Sequence, residues 1–131
     1  MKRPLAMVLA ACCACLLGVA PALADKTFNS GTGATVDCGK DPKVSINHGS
    51  GTYVLTGKCE HVSVNGGQNK LTIESVDSLD VNGSKNTIAV DTVGKINVNG
   101  GDNSIAWKHA AKGDKPTVTA LGKNNAIAPA R

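Results

Sequence analysis

Aromatic residues are nearly missing: one Trp, one Tyr and one Phe make up 2% of 131 residues. Any core must therefore be aliphatic, and platforms on which sugars or bases stack are lacking. Charge is scarce as well, at 18% of residues, below the usual quarter or so. The formal net charge is +4, of which Lys2 and Arg3 carry two, leaving +2 for the rest. Without Arg clusters, that balance excludes the electrostatic footprint of a nucleic-acid binder. Disorder is excluded by an apolar content of 41% combined with this low net charge.

What is present begins with an export pattern. Met1-Lys2-Arg3 is a positive start, Leu5 to Ala20 is an Ala- and Leu-rich apolar stretch, and Ala22-Leu23-Ala24 is a small-x-small site before Asp25. Residues 1–24 read as a signal peptide cleaved after Ala24. The Leu9-Ala10-Ala11-Cys12 run offers a rival, a lipoprotein signal with a lipidated Cys12, but it crowds the apolar region and strands Cys13 and Cys15 on the product. Pro21 and the short apolar span argue against an uncleaved anchor. Cleavage leaves two cysteines, Cys38 and Cys59, and an oxidising compartment pairs them. The bridge would close a loop of about 22 residues, on the order of 3 kcal/mol in the chain-entropy model.

The chain repeats every 17 residues. Val64, Val81 and Val98 align, as do Asn65, Asn82 and Asn99, and Gly66, Gly83 and Gly100. Further columns hold Asn69, Asn86 and Asn103, then Leu71, Ile88 and Ile105, then Ile73, Val90 and Trp107. A fourth copy carries Val118, Ala120, Gly122, Asn125 and Ile127 after an insertion around His109 to Pro116, and a weaker one precedes with Val44, Ile46, Gly49, Tyr53 and Leu55. Within each copy apolar residues alternate, the period of a half-buried strand. One such unit cannot bury its own apolar face, so a fixed short period implies stacking. The expected fold is all-β: a small parallel β-solenoid of about five coils over residues 44–131, with residues 25–43 as an N-terminal cap stapled by Cys38–Cys59. Thr72, Ala89 and Ala106 point outward, as do Ser63, Asp80, Asn97 and Thr119. Pro116, Lys123 and Pro129 discourage further pairing at the other end.

The Asn column (Asn69, Asn86, Asn103, Asn125) reads as a structural ladder between stacked turns, and the Gly column (Gly66, Gly83, Gly100, Gly122) as a backbone requirement. Asn-Gly-Gly here lacks the strand-loop-helix context of a phosphate loop. His48, His61 and His109 show no ligand spacing with one another or with the two cysteines, so no metal and no cofactor is expected. Glu74 and Asp91 fall at equivalent positions of adjacent coils and would lie about 5 Å apart, the separation of a retaining glycosidase pair. With Lys108 next in the column, an acid, acid, base row on a solvated face is the simpler reading.

The V-x-V-x-G-x-x-N-x-I-x-V unit, seen at Val62 to Ile73, Leu79 to Val90 and Ile96 to Trp107, follows Tyr53-Val54-Leu55-Thr56-Gly57-Lys58-Cys59. This pattern resembles a bacterial domain-of-unknown-function family, number 3060. The resemblance implies an exported or lipid-anchored envelope protein with no assigned activity and gives no catalytic residue. The expectation is thus a non-catalytic periplasmic or extracellular module, binding or structural, whose partner is an unidentified envelope component. A carbohydrate-binding module is the alternative, and a small glycoside-active enzyme using Glu74 and Asp91 a further one.

Overall fold

The structure, a computed structural model, describes residues 25–130; the leader reading of residues 1–24, with Cys12, lies outside them. Nine strands form one parallel ladder, and no helix occurs among the described residues. They are β1 (Asp25–Phe28), β2 (Gly33–Asp37), β3 (Lys43–Ile46), β4 (Thr52–Asn65), β5 (Lys70–Asn82), β6 (Thr87–Asn99), β7 (Ser104–Ala110), β8 (Thr117–Leu121) and β9 (Ala126–Pro129). The chain is a parallel β-solenoid. Each long strand bends twice, so a coil has two main faces and a short third side. The first face stacks β1, β3, the second halves of β4, β5 and β6, and then β8. The second face stacks β2, the first halves of β4, β5 and β6, and then β7 and β9. The short side is built from Cys59, Val76, Val93 and Ala110.

Both main faces hold six rows, one more than the aligned repeats suggest. Asp25–Phe28 pairs with Lys43–Ile46, and Gly33–Asp37 pairs with Thr52–Thr56, so the segment expected as a cap adds a coil of its own. It escapes the repeat because its inward columns carry Lys26 and Ala34 where the next coil carries the larger apolar Val44 and Tyr53. The spacing is 17 residues from Lys58 to Ala110. Before that it is 18, with Thr56-Gly57 adding a residue at a register shift, except between β2 and β4, where it is 19; across the insertion before Thr117 it is 22.

The core is a set of aliphatic columns. Val44, Val62, Leu79 and Ile96 stack at 0% exposure, as do Val76 and Val93 beneath Cys59. Each such side chain contributes roughly 1.5–3 kcal/mol relative to exposure. Cys38 and Cys59 form a disulfide across 21 residues, both buried, joining the first coil to the second.

The turn between the two faces is held by two Asn ladders. The inner one is buried at Asn69, Asn86 and Asn103, whose exposures are 1%, 0% and 1%. The backbone N–H of Asn69 donates to Asn86 Oδ1 at 3.1 Å, that of Asn86 to Asn103 Oδ1 at 3.0 Å, and that of Asn103 to Asn125 Oδ1 at 3.1 Å. In return Asn86 Nδ2 donates to Gly66 O at 2.9 Å and Asn103 Nδ2 to Gly83 O at 2.9 Å. The outer ladder is exposed: Asn47 Nδ2 donates to Asn29, Asn65 to Asn47 and Asn82 to Asn65.

Gly83 is required by space, not by φ. A Cβ there would stand 1.9 Å from the Gly66 carbonyl oxygen of the coil before. The left-handed position of the turn belongs instead to the residue preceding each inner Asn, namely Gln68, Lys85, Asp102 and Asn124, with φ of 58–61°.

Candidate functional site

Parallel in-register stacking turns every outward position into a row, and the second face carries the one with most apolar character. Val54, Thr72, Ala89 and Ala106 follow one another on adjacent coils. Val54 is 40% exposed. These residues line a shallow groove of about 310 Å³, bordered by Glu74, Asp91 and Lys108. All three charged side chains are exposed. Glu74 Oε2 accepts a hydrogen bond from the Gly57 N–H at 2.8 Å, and Lys108 Nζ stands 3.9 Å from Asp91 Oδ1. Each carboxylate is thus engaged by its own partner and solvated, which differs from the desolvated acid that glycoside cleavage uses.

The remaining polar groups are spread over separate sites. His61 Nε2 lies 3.2 Å from Asp80 Oδ2 on the first face, and Asn97 Nδ2 donates to Asp80 Oδ1 at 2.7 Å. Lys58 and Asp77 form an exposed pair at 3.8 Å on the short side. His109 is exposed. Among the described residues no three His, Cys, Asp or Glu side chains converge as a metal site would need. No described helix is long and apolar enough to cross a membrane.

The aromatics are withdrawn from the surface. Tyr53 is 1% exposed and Trp107 8%; Phe28 packs on Tyr53 with ring centroids 5.1 Å apart. His48 Nδ1 faces the Gly49 carbonyl at 3.0 Å and can only donate to it, so in the neutral ring Nε2 accepts the hydrogen bond of the Tyr53 hydroxyl. Burial pushes the Tyr53 phenol above its ordinary pKa. No aromatic face is offered to a sugar ring in the groove.

Sequence reasoning located the Thr72, Ala89, Ala106 row and the Glu74, Asp91, Lys108 row. It missed Val54 as the head of the groove, and it aligned Asn65, Asn82 and Asn99 without extending that column back to Asn47 and Asn29 as a hydrogen-bonded ladder. Both begin in coils spaced by 18, where a cut every 17 residues loses the alignment.

Neither a curated protein nor a solved structure matches the chain. A family model does, twice in overlapping registers at residues 46–87 and 76–124, as a repeat permits. These stretches cover the groove floor and the middle of both ladders, and the chain belongs to the family described as "Protein of unknown function (DUF3060)".

Proposed function

We propose that the protein is an exported, non-catalytic module of the bacterial envelope, whose stacked coils hold fixed rows of side chains against an envelope protein. The observation that carries this reading is the groove floored by Val54, Thr72, Ala89 and Ala106 and edged by Glu74, Asp91 and Lys108. Small side chains in register make a flat ribbon, which suits an extended apolar strip better than a small substrate. The charged edge sets orientation: a partner row that is basic against Glu74 and Asp91 and acidic against Lys108 is complementary to it. The leader pattern in residues 1–24 supports export. The exposed, separately engaged carboxylates support a role without catalysis, and the withdrawn aromatics speak against a sugar.

The test is retention in the envelope fraction of the native host. Ala89→Arg places a long cation in the groove floor while leaving the inward columns intact, so it should fold, by circular dichroism, yet pass into the soluble fraction. A folded Ala89→Arg protein retained as well as wild type overturns the reading.

A further inference from the structure

The last coil departs from the others. Val118 occupies the same inward column as Ile96, yet Val118 is 44% exposed and Ile96 0%. The column residues also shrink there, since Ala120 follows Val98 and Pro129 follows Trp107. A smaller layer over a larger one leaves a recess. It is a cavity of about 450 Å³ at the carboxyl end of the core, lined by Trp107, Lys115, Pro116, Val118, Ile127 and Pro129.

Three features of this recess define a ligand. It is concave and falls within the range of about 300–1,000 Å³ typical of small-molecule sites. Its wall is apolar except for one cation: Lys115 is delivered by the insertion after Ala110 and has no ion-pair partner among the described residues. The Trp107 side chain, 8% exposed, is the largest apolar group of the lining and supplies the flat wall. A neutral ligand would leave Lys115 unused, and a bare anion would leave the apolar wall unused.

We propose that the recess binds a single-chain aliphatic carboxylate, with the alkyl chain against Trp107, Val118 and Ile127 and the carboxylate at Lys115. This site is separate from the groove of the second face and does not depend on the reading given for it.

Trp107 is the only tryptophan of the chain, so its emission reports this site alone. Titration of the full chain with decanoate, below the concentration at which it forms micelles, should change that emission saturably. Lys115→Glu, at an exposed position outside the ladder, should weaken decanoate at least ~10-fold, the loss expected of one charge-assisted contact. Decanol, which lacks the charge, should bind wild type and Lys115→Glu alike. Val118→Phe, on the lining itself, should fill the recess and abolish the response, with circular dichroism reporting whether the coils persist. No saturable change with decanoate, or an unchanged decanoate affinity in Lys115→Glu, overturns the proposal. An end-to-end dimer that shields Trp107 from decanoate overturns it as well.

Discussion

Lys26 and Val118 stand at opposite ends of a single column. From Lys26 the register runs through Val44, Val62, Leu79 and Ile96 to Val118. At one end the position is closed by an ammonium that lies 5.8 Å from the Phe28 ring centroid, and at the other it is open and aliphatic. Stacking two molecules head to tail would set Lys26 of one on Val118 of the next, burying an unpaired charge. Lys26 would therefore act as a block to end-to-end addition of the described coils through their ladder.

Lys26→Val removes that block. In protein lacking residues 1–24, the variant should show concentration-dependent association by analytical ultracentrifugation where the parent does not. A variant that sediments like its parent at every concentration would mean that the closure lies elsewhere.

The two Asn ladders should differ sharply in their contribution to stability. Asn86→Ala leaves the Asn69 N–H and the Gly66 carbonyl without their partners in a buried turn, a loss of about 2–4 kcal/mol. Asn82→Ala removes one exposed link of the outer ladder and should cost about 0.5 kcal/mol or less. Denaturant midpoints at equal m-value decide it, and equal losses would contradict the assignment of burial.

Lys85 holds φ at 59° without being glycine. Left-handed backbone costs a side-chain-bearing residue roughly 1–2 kcal/mol, part of which glycine returns through its freer unfolded chain. Lys85→Gly should raise stability by about 0.5–1 kcal/mol. A lower melting temperature for the variant would count against the turn geometry.

Tyr53 is the only tyrosine, so its ionisation can be followed by near-ultraviolet absorbance. Burial favours its neutral form, so its folded pKa lies above the unfolded value, which is about 10. The stability it contributes is complete below about pH 10 and is lost as pH rises through the folded value. The native midpoint should exceed that seen in concentrated urea. Coincident midpoints would place the phenol in solvent.

The sequence made the middle of the molecule legible and its ends obscure. From Val62 to Trp107 the inward columns stay apolar and the Asn and Gly columns uniform at constant spacing, so register, inward faces and the Asn row could all be read. At the amino end the coil geometry persists, but Lys26 and Ala34 stand where the next coil carries Val44 and Tyr53, and backbone pairing without an apolar signature leaves no periodic trace. At the other end Val118 and Ile127 sit in the expected columns, yet their exposure follows from their place in the last described coil. That is a property of the assembled stack. The groove shows the same division, because the outward sense of Thr72, Ala89 and Ala106 follows from alternation, whereas the recruitment of Val54 needed the true spacing of 18.

The excursion before Thr117 has a consequence for what this scaffold will tolerate. Pairing spacing rises from 17 at Val93 and Ala110 to 22 at Lys95 and Thr117, and the ladder resumes through both following strands. Chain length and layer geometry are therefore uncoupled at this corner. Lys112, Gly113 and Asp114 are exposed, and nothing lies within 4 Å of a Cβ built on Gly113. Lengthening the excursion there adds only loop-closure entropy, about 0.6 kcal/mol for each doubling. A peptide of ten residues grafted after Gly113 should leave the thermal midpoint within a few degrees of wild type, whereas the same graft between Gly83 and Ser84 should abolish folding. Comparison of the two melts by circular dichroism would settle it, and this one corner would then serve as a port for displayed sequence on a rod that accepts none at its turns.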